Sequence, residues 1–481
     1  MPKAKPTGSS PRHAESAPSY SGDFTLRNDA GPSLLQPGDD NIVKGEILLK
    51  LAPAANSSVR SSIPSGPLGT RMYGVPGGFG IAEIDSVLER FGAQSVVKLH
   101  MPASPVTAAA EDEALGGTYR VRLSADADVA AAVKALSQSA SVEAAEANRW
   151  REATATPNDP GFPQQWGLPQ INCPTAWDVT TGAASVVVAV VDTGVDLDHP
   201  ELAPLLLPGQ DLVDLAGSSP PPGTRFEGDW MGRDAEPQDE VGHGTHVAGT
   251  IACVTNNAFG VAGVTWHCSI LPVKVLTRVV QIAPPNRVSG VGSAADIAAG
   301  IRWAVDHGAH VLNMSLGGYG DTFVERDAVA YAVSKGVTVV AAMGNDNTNQ
   351  PSYPASYPGV IAVGAVDQSN HRAVFSNFGP HISVVAPGVD IYSTVWNDGF
   401  DTKSGTSMAS PHVAGVAALT LSANPALSAD EIRNILKETA VPLRDDPADP
   451  VPNDRYGSGL VDAAAAVHRA LPQPVQTQPT V

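Results

Sequence analysis

Ser185–Val191 reads SVVVAVV, and Asp192 follows at once. Seven residues without a charge, rich in β-branched side chains, predict a short strand buried on both faces. Four more runs share the pattern: ILPVKVL (270–276), HVLNMS (310–315), GVTVVAAM (336–343) and VIAVGAV (360–366). Helical segments lie among them, ADIAAGIRWAVDHG (295–308) and ERDAVAYAVSKG (325–336). Buried strands alternating with helices predict an α/β domain around a doubly wound, mostly parallel sheet. SADEIRNILKETA (428–440) opens with a capping box formed by Ser428 and Glu431.

Outward from this core the composition changes. Residues 1–40 are rich in Pro, Ser, Gly and Ala, which predicts a disordered lead. Its first residues are basic but have no apolar stretch behind them, so they do not read as a secretory signal, and the chain as written reads as cytoplasmic unless its start lies upstream or export takes another route. Residues 41–148 suggest a small α+β domain of order β-α-β-β-α, from GEILLKL, IAEIDSVLERFG, VVKLHM, TYRVRLS and DVAAAVKALSQS. Residues 149–156 read as a polar linker, 157–470 as the large domain and 471–481 as a loose tail. Two inserts, 215–240 and 277–292, read as surface loops.

The net charge of −19 argues against nucleic acid and anionic membrane surfaces as partners. No apolar run reaches 18 residues, which leaves no candidate spanning helix. Three cysteines, Cys173, Cys253 and Cys268, are too few for a disulfide framework and lack metal spacing.

In doubly wound sheets ligands bind beyond the carboxyl ends of the strands. Asp192 stands at one such end and Asn345, in GNDN, at another. His243 opens the helix-like GHGTHVAGTIA, and Ser407 lies in SGTSMASPHVAG before an apolar run. Each has an ordinary reading: turn Asp, turn Asn, structural His, helix-capping Ser. His243 with His246 also has the spacing of a metal pair, but no third ligand follows. Together the four supply what a serine hydrolase requires. A hydroxyl needs a base, the base needs a carboxylate to hold it, and the developing oxyanion needs donors. The order Asp, His, Ser separates this chain from α/β-hydrolases and chymotrypsin-like proteases.

VVDTGVDLDHPEL, GHGTHVAGT, VLNMSLGG, AAMGND and SGTSMASPHVAG resemble the motifs of the subtilisin-like serine proteases, in order, from about Pro157 to Ala466. The resemblance implies Asp192, His243 and Ser407 as a catalytic triad, with Asn345 and the Ser407 N–H as oxyanion donors. It implies polypeptide substrates laid along Ser315, Leu316, Gly317 and Gly318, with Ser352 and Asp346 at the first specificity pocket. It implies that 41–148 is an inhibitory, chaperone-like propeptide, cut near Thr154 after SVEAAEANRWREAT passes through the active site. It implies structural calcium held by Asp159 in PNDPGF, Glu201 in HPEL and Asn257 in VTNNAFGVAG, with no organic cofactor, in a monomer. Asp229, Asp234 and Asp239, before His243, raise the possibility of another cation or of a solvated loop. The alternative to an endopeptidase is a non-catalytic homologue that only binds peptides.

Overall fold

The computed structural model describes residues 42–59, 73–74, 79–99, 117–150, 156–283 and 287–472. The lead 1–40 and most of the tail 471–481 lie outside them. The chain divides into two compact units, one ending at Thr154 and one running from Ala155 to the C-terminus.

In the first unit the strands are β1 (Ile42–Leu51), β2 (Tyr73–Gly74), β3 (Ser95–Lys98), β4 (Thr118–Arg122) and β5 (Val142–Arg149). They form one sheet of order β2-β3-β4-β1-β5. Alternation decides which side chains go inside: Ile47, Leu49 and Leu51 of β1 are buried with Tyr119 and Val121 of β4. Helices Ala82–Arg90 and Val129–Leu136 add Ile84, Leu88, Ala132 and Leu136 to that core. The second starts where Asp128 accepts the Ala131 N–H at 2.9 Å.

Three elements here are absent from the sequence reading. Pro53–Val59 is helical, Tyr73–Gly74 is a short strand beside β3, and Val142–Arg149 is a strand antiparallel to β1. EAAEA is built from poor strand formers, which hides the element from a propensity argument. What makes it a strand is pairing: Ala145 and Ala147 pack against the core, and Glu143 meets Lys50 at 2.5 Å.

The second unit is built on a seven-stranded sheet of order β15-β14-β13-β12-β6-β9-β7. Its strands are β6 (Val187–Asp192), β7 (Gln210–Asp211), β9 (Ser269–Lys274), β12 (Val311–Met314), β13 (Thr338–Ala342), β14 (Val360–Val366) and β15 (Val384–Pro387). Every recorded pairing between them is parallel. The five apolar runs are thus strands of one parallel sheet, as expected for an α/β fold. Helices Ala294–Asp306 and Phe323–Ser334 follow β9 and β12, and helix Thr406–Ala423 packs along β12 to β15. From β6 the sheet grows one way through β9 and the other way through β12, so β6 marks the switch point where such folds hold their ligands. The capping box of Ser428 and Glu431 is present. All three cysteines are free and buried.

The two inserts are not simply loops. β8 (Thr224–Glu227), β10 (Thr277–Gln281) and β11 (Val288–Val291) form a separate antiparallel sheet of order β11-β10-β8. TRVVQ carries the β-branched residues of a strand, but its partner TRFE lies about fifty residues earlier, and local reading cannot pair the two.

Candidate active site

Asp192 ends β6 and is fully buried. Its Oδ1 accepts from His243 Nδ1 at 2.6 Å and from the Thr193 N–H at 2.8 Å. His243 is the first residue of helix His243–Ile251, and that helix comes close: a Cβ on Gly244 would lie 2.1 Å from the Gly194 carbonyl. Burial disfavours a charged His243 ring, but the Asp192 charge and hydrogen bond outweigh it, and Asp239 adds to them. The net effect raises the pKa above the usual histidine value. Asp239, one of the acids noted before His243, is not free to hold a cation. It accepts from the hydroxyls of Thr193 and Thr245 and the N–H groups of Val241, Gly242 and Thr245, which anchors the start of the helix. His246 is buried with Nε2 2.9 Å from the Ile391 carbonyl, and burial pushes its pKa down to about 3. It is a buried structural histidine, and among the described residues neither histidine belongs to a cluster of metal-ligating groups.

Ser407 does not cap its helix. Gly405 takes the capping position, and Ser407 is the second residue of the first turn, where N–H groups lack intrahelical partners. Pro411, four residues on, has no N–H to offer the Ser407 carbonyl. The Ser315 hydroxyl takes that place at 2.8 Å, while the Ser407 hydroxyl donates to the Ser315 carbonyl at 3.1 Å. Ser315 Oγ is itself held by Asn313, and Asn313 by Ser410, so the end of β12 and the start of the helix are tied together.

Asn345 follows β13. Its Oδ1 accepts from the Thr406 N–H at 2.8 Å and the Thr406 hydroxyl at 3.0 Å. An oxygen must face those donors, so the amide NH2 turns the other way and has no partner among the described residues. The loop is held from beneath by buried Asn377, whose Oδ1 accepts from Asp346 N–H at 2.9 Å. Thr406, Thr193 and Asn377 were not singled out from the sequence, and Thr406 had a signal, its place beside Ser407.

His243, Asn345 and Ser407 line one cleft of about 630 Å³, and Ser315, Leu316, Gly317 and Gly318 run along it. Gly318 exchanges backbone hydrogen bonds with Tyr353, whereas exposed Gly317 makes none among the described residues. That alternation leaves one strand edge open to an extended chain. Ser352 is buried in the cleft wall, and Asp346 sits at the rim, accepting from the Tyr319 hydroxyl.

Asp159, Glu201 and Asn257 also come together, in the same unit. Asp159 accepts from the N–H groups of Asn256 and Asn257 at 2.8 and 3.0 Å, and Glu201 Oε1 accepts from Asn257 Nδ2 at 2.9 Å. Both carboxylates are buried, and Glu201 Oε2 has no hydrogen-bond partner. Burial raises the Glu201 pKa to about 7, with the Asn257 bond opposing and the Asp159 charge adding. Two buried acids, one oxygen orphaned, and a carbonyl-rich loop fit a hard cation. The Asn257 oxygen accepts from the Phe259 N–H at 2.8 Å, so in this arrangement the amide offers the acids its nitrogen. Asp229 and Asp234 approach Asp211, and Lys274 lies between Asp211 Oδ2 at 3.2 Å and Glu240 Oε2 at 3.4 Å.

The subtilase family profile (Peptidase S8) matches residues 183–459. A thermophilic serine proteinase of Bacillus sp. (strain AK1) is 44% identical over 314 residues, 65% of this chain and 71% of that protein. Thermitase of Thermoactinomyces vulgaris is 42% identical over 286 residues, 59% of this chain and 91% of thermitase. Among solved structures, a protease from Pseudoalteromonas arctica PAMC 21717 superposes with a TM-score of 0.56 at 39% identity, covering 66% of this chain and 99% of that one. A parallel sheet with its cleft at the switch point, joined to relatives of this similarity, makes the chain a member of the subtilase family and a serine endopeptidase.

Proposed function

We propose that Ser407 attacks the carbonyl of a peptide bond, with His243 as the base and Asp192 as its orienting carboxylate. The observation that carries the reading is the 2.6 Å contact of His243 Nδ1 with Asp192, in the cleft that Ser407 and Asn345 also line. Asp192 holds the ring with its proton on Nδ1, which leaves Nε2 to take the Ser407 proton. The free Asn345 NH2 and the Ser407 N–H receive the oxyanion. The ring then gives its proton to the leaving amine, and water releases the acyl group from Ser407 by the same route reversed. The substrate backbone adds as a strand to the open edge at Gly317, which binds main chain of any sequence. Hydrolysis of casein should be abolished by a serine-directed fluorophosphonate, with the label recovered on Ser407 by mass spectrometry. Label on another residue, or activity that survives full labelling, overturns the assignment.

Residues 41–148 act in this reading as an intramolecular inhibitor and folding aid, removed by the enzyme itself within 149–156. The separation of the chain into two compact units near Thr154 supports it.

Asp159, Glu201 and Asn257 would hold calcium, Asn257 after its amide turns. The ion would supply the positive charge that two adjacent buried carboxylates lack. An ion that binds only the folded chain adds about 2.7 kcal/mol at a hundredfold excess over its Kd. For a domain of this size that corresponds to about 5 °C in Tm. Calorimetry of the mature enzyme should show a fall of that order on moving from millimolar calcium to EGTA, and Glu201→Gln should remove most of the difference. Equal melting temperatures in the two buffers would exclude the site.

A further inference from the structure

Among the described residues lining the cleft, none is Lys or Arg, and two are carboxylates. One is Asp346, exposed and bonded to Tyr319. The other, Glu325, is only 6% exposed. It lies in the first turn of helix Phe323–Ser334, which packs against helix Ala294–Asp306. That neighbour brings Ala294 and Ile297 to the same cleft, and Leu316 adds a further apolar wall. Thr322 donates its hydroxyl to Glu325 Oε2 at 2.9 Å. No cation pairs with Glu325 among the described residues. Arg326, the next residue, is turned to Asp321 at 2.5 Å. Burial raises the Glu325 pKa, the Thr322 hydrogen bond opposes, and the Asp321 charge adds to the rise.

A carboxylate facing an apolar recess is unfavourable until a charge and donors meet it. Lys and Arg suit the recess: the aliphatic stem covers the apolar wall and the charged end reaches the acid. The geometry also gives a distance along the substrate. Ser315 touches Ser407, so the substrate residue opposite Ser315 is next to the scissile bond. The edge then runs three residues to Gly318, about 10 Å at the rise of a strand, before the turn that leads to Glu325.

We propose that Glu325 selects a basic side chain of the substrate, Lys or Arg, roughly three residues from the scissile bond, on the half that pairs with Ser315–Gly318. This rests on the triad reading above and adds a charge preference to it. The test uses internally quenched peptides in which Arg, Lys, Leu or Glu occupies each position in turn on both sides of the cleaved bond. In the wild-type enzyme kcat/KM for Arg over Leu should reach about tenfold or more at one position roughly three residues from the bond. Glu325→Gln should bring that ratio close to one, and Glu325→Lys should turn it to favour Glu. A purely structural role would lower Arg and Leu peptides alike and keep the ratio, which would overturn the proposal. So would a wild-type ratio near one at every position. The same peptides bound to Ser407→Ala, read by fluorescence anisotropy, give the ratio as Kd values. If the wild type cleaves nothing, the triad reading fails while this ratio, lost or kept in Ser407→Ala/Glu325→Gln, still decides the role of Glu325.

Discussion

Ser407→Ala should lower kcat on a peptide substrate by about a million-fold. The substitution removes one oxygen at a position where the helix start is held by Gly405, Pro411 and the Ser315 hydroxyl, none of which depends on the Ser407 side chain. The loss is therefore chemical rather than structural, and KM should change little. Residual hydrolysis of about 10³–10⁴ over water is expected from the oxyanion donors and substrate binding that remain. The same variant should accumulate as the full-length chain, whereas the wild type yields a fragment beginning between Asn148 and Pro157. N-terminal sequencing and burst kinetics check the two halves separately. A variant that keeps a tenth of the activity would remove Ser407 from the mechanism. Cutting of the pure inactive chain at the same place would mean that another protease processes it.

Asp192→Ala should lower kcat by about 10⁴-fold and also move the pH profile. The sign follows from the origin of the His243 pKa. Burial alone lowers it, and the Asp192 charge and hydrogen bond raise it above the ordinary value. The base must be neutral, so activity is absent at low pH and appears as the pH rises through that pKa. Without Asp192 the charged ring loses its main support, and the acidic limb of kcat/KM should shift to lower pH. The absolute rate falls because nothing then holds the ring proton on Nδ1, and Nε2 is no longer kept free to accept from Ser407. A large loss with an unmoved limb would show that Asp192 orients the ring without supporting its charge.

Much of this protein could be read from local pattern. A parallel strand buried on both faces must be apolar throughout, so SVVVAVV and VIAVGAV announce themselves, and Asp192 at the end of the first marks the switch point. The motifs around Asp192, His243, Asn345 and Ser407 are short because each group is presented by a single turn or helix start. The elements that escaped are those whose state depends on a distant partner. EAAEA is a strand because it pairs with β1, and TRVVQ and TRFE form a sheet only across about fifty residues. EAAEA has poor strand propensity, and TRVVQ, though β-branched, carries no local sign of its pairing with TRFE.

The roles of side chains divide in the same way. Four short segments offered an acid, an imidazole, an amide and a hydroxyl suited to one reaction, and their order narrowed the kind of hydrolase. Which way the Asn345 amide faces was decided by Thr406, and the freedom of Ser407 from capping by Gly405. Asp239 was one of several acids in a loop until five donors converged on it. Glu325 reads in the sequence as an ordinary first-turn acid, favourable to the helix dipole. Tertiary packing, in part against helix Ala294–Asp306, buries it in the cleft with no counter-ion among the described residues. Residue type is local information, but burial and pairing belong to the neighbours, and those are supplied by the tertiary fold.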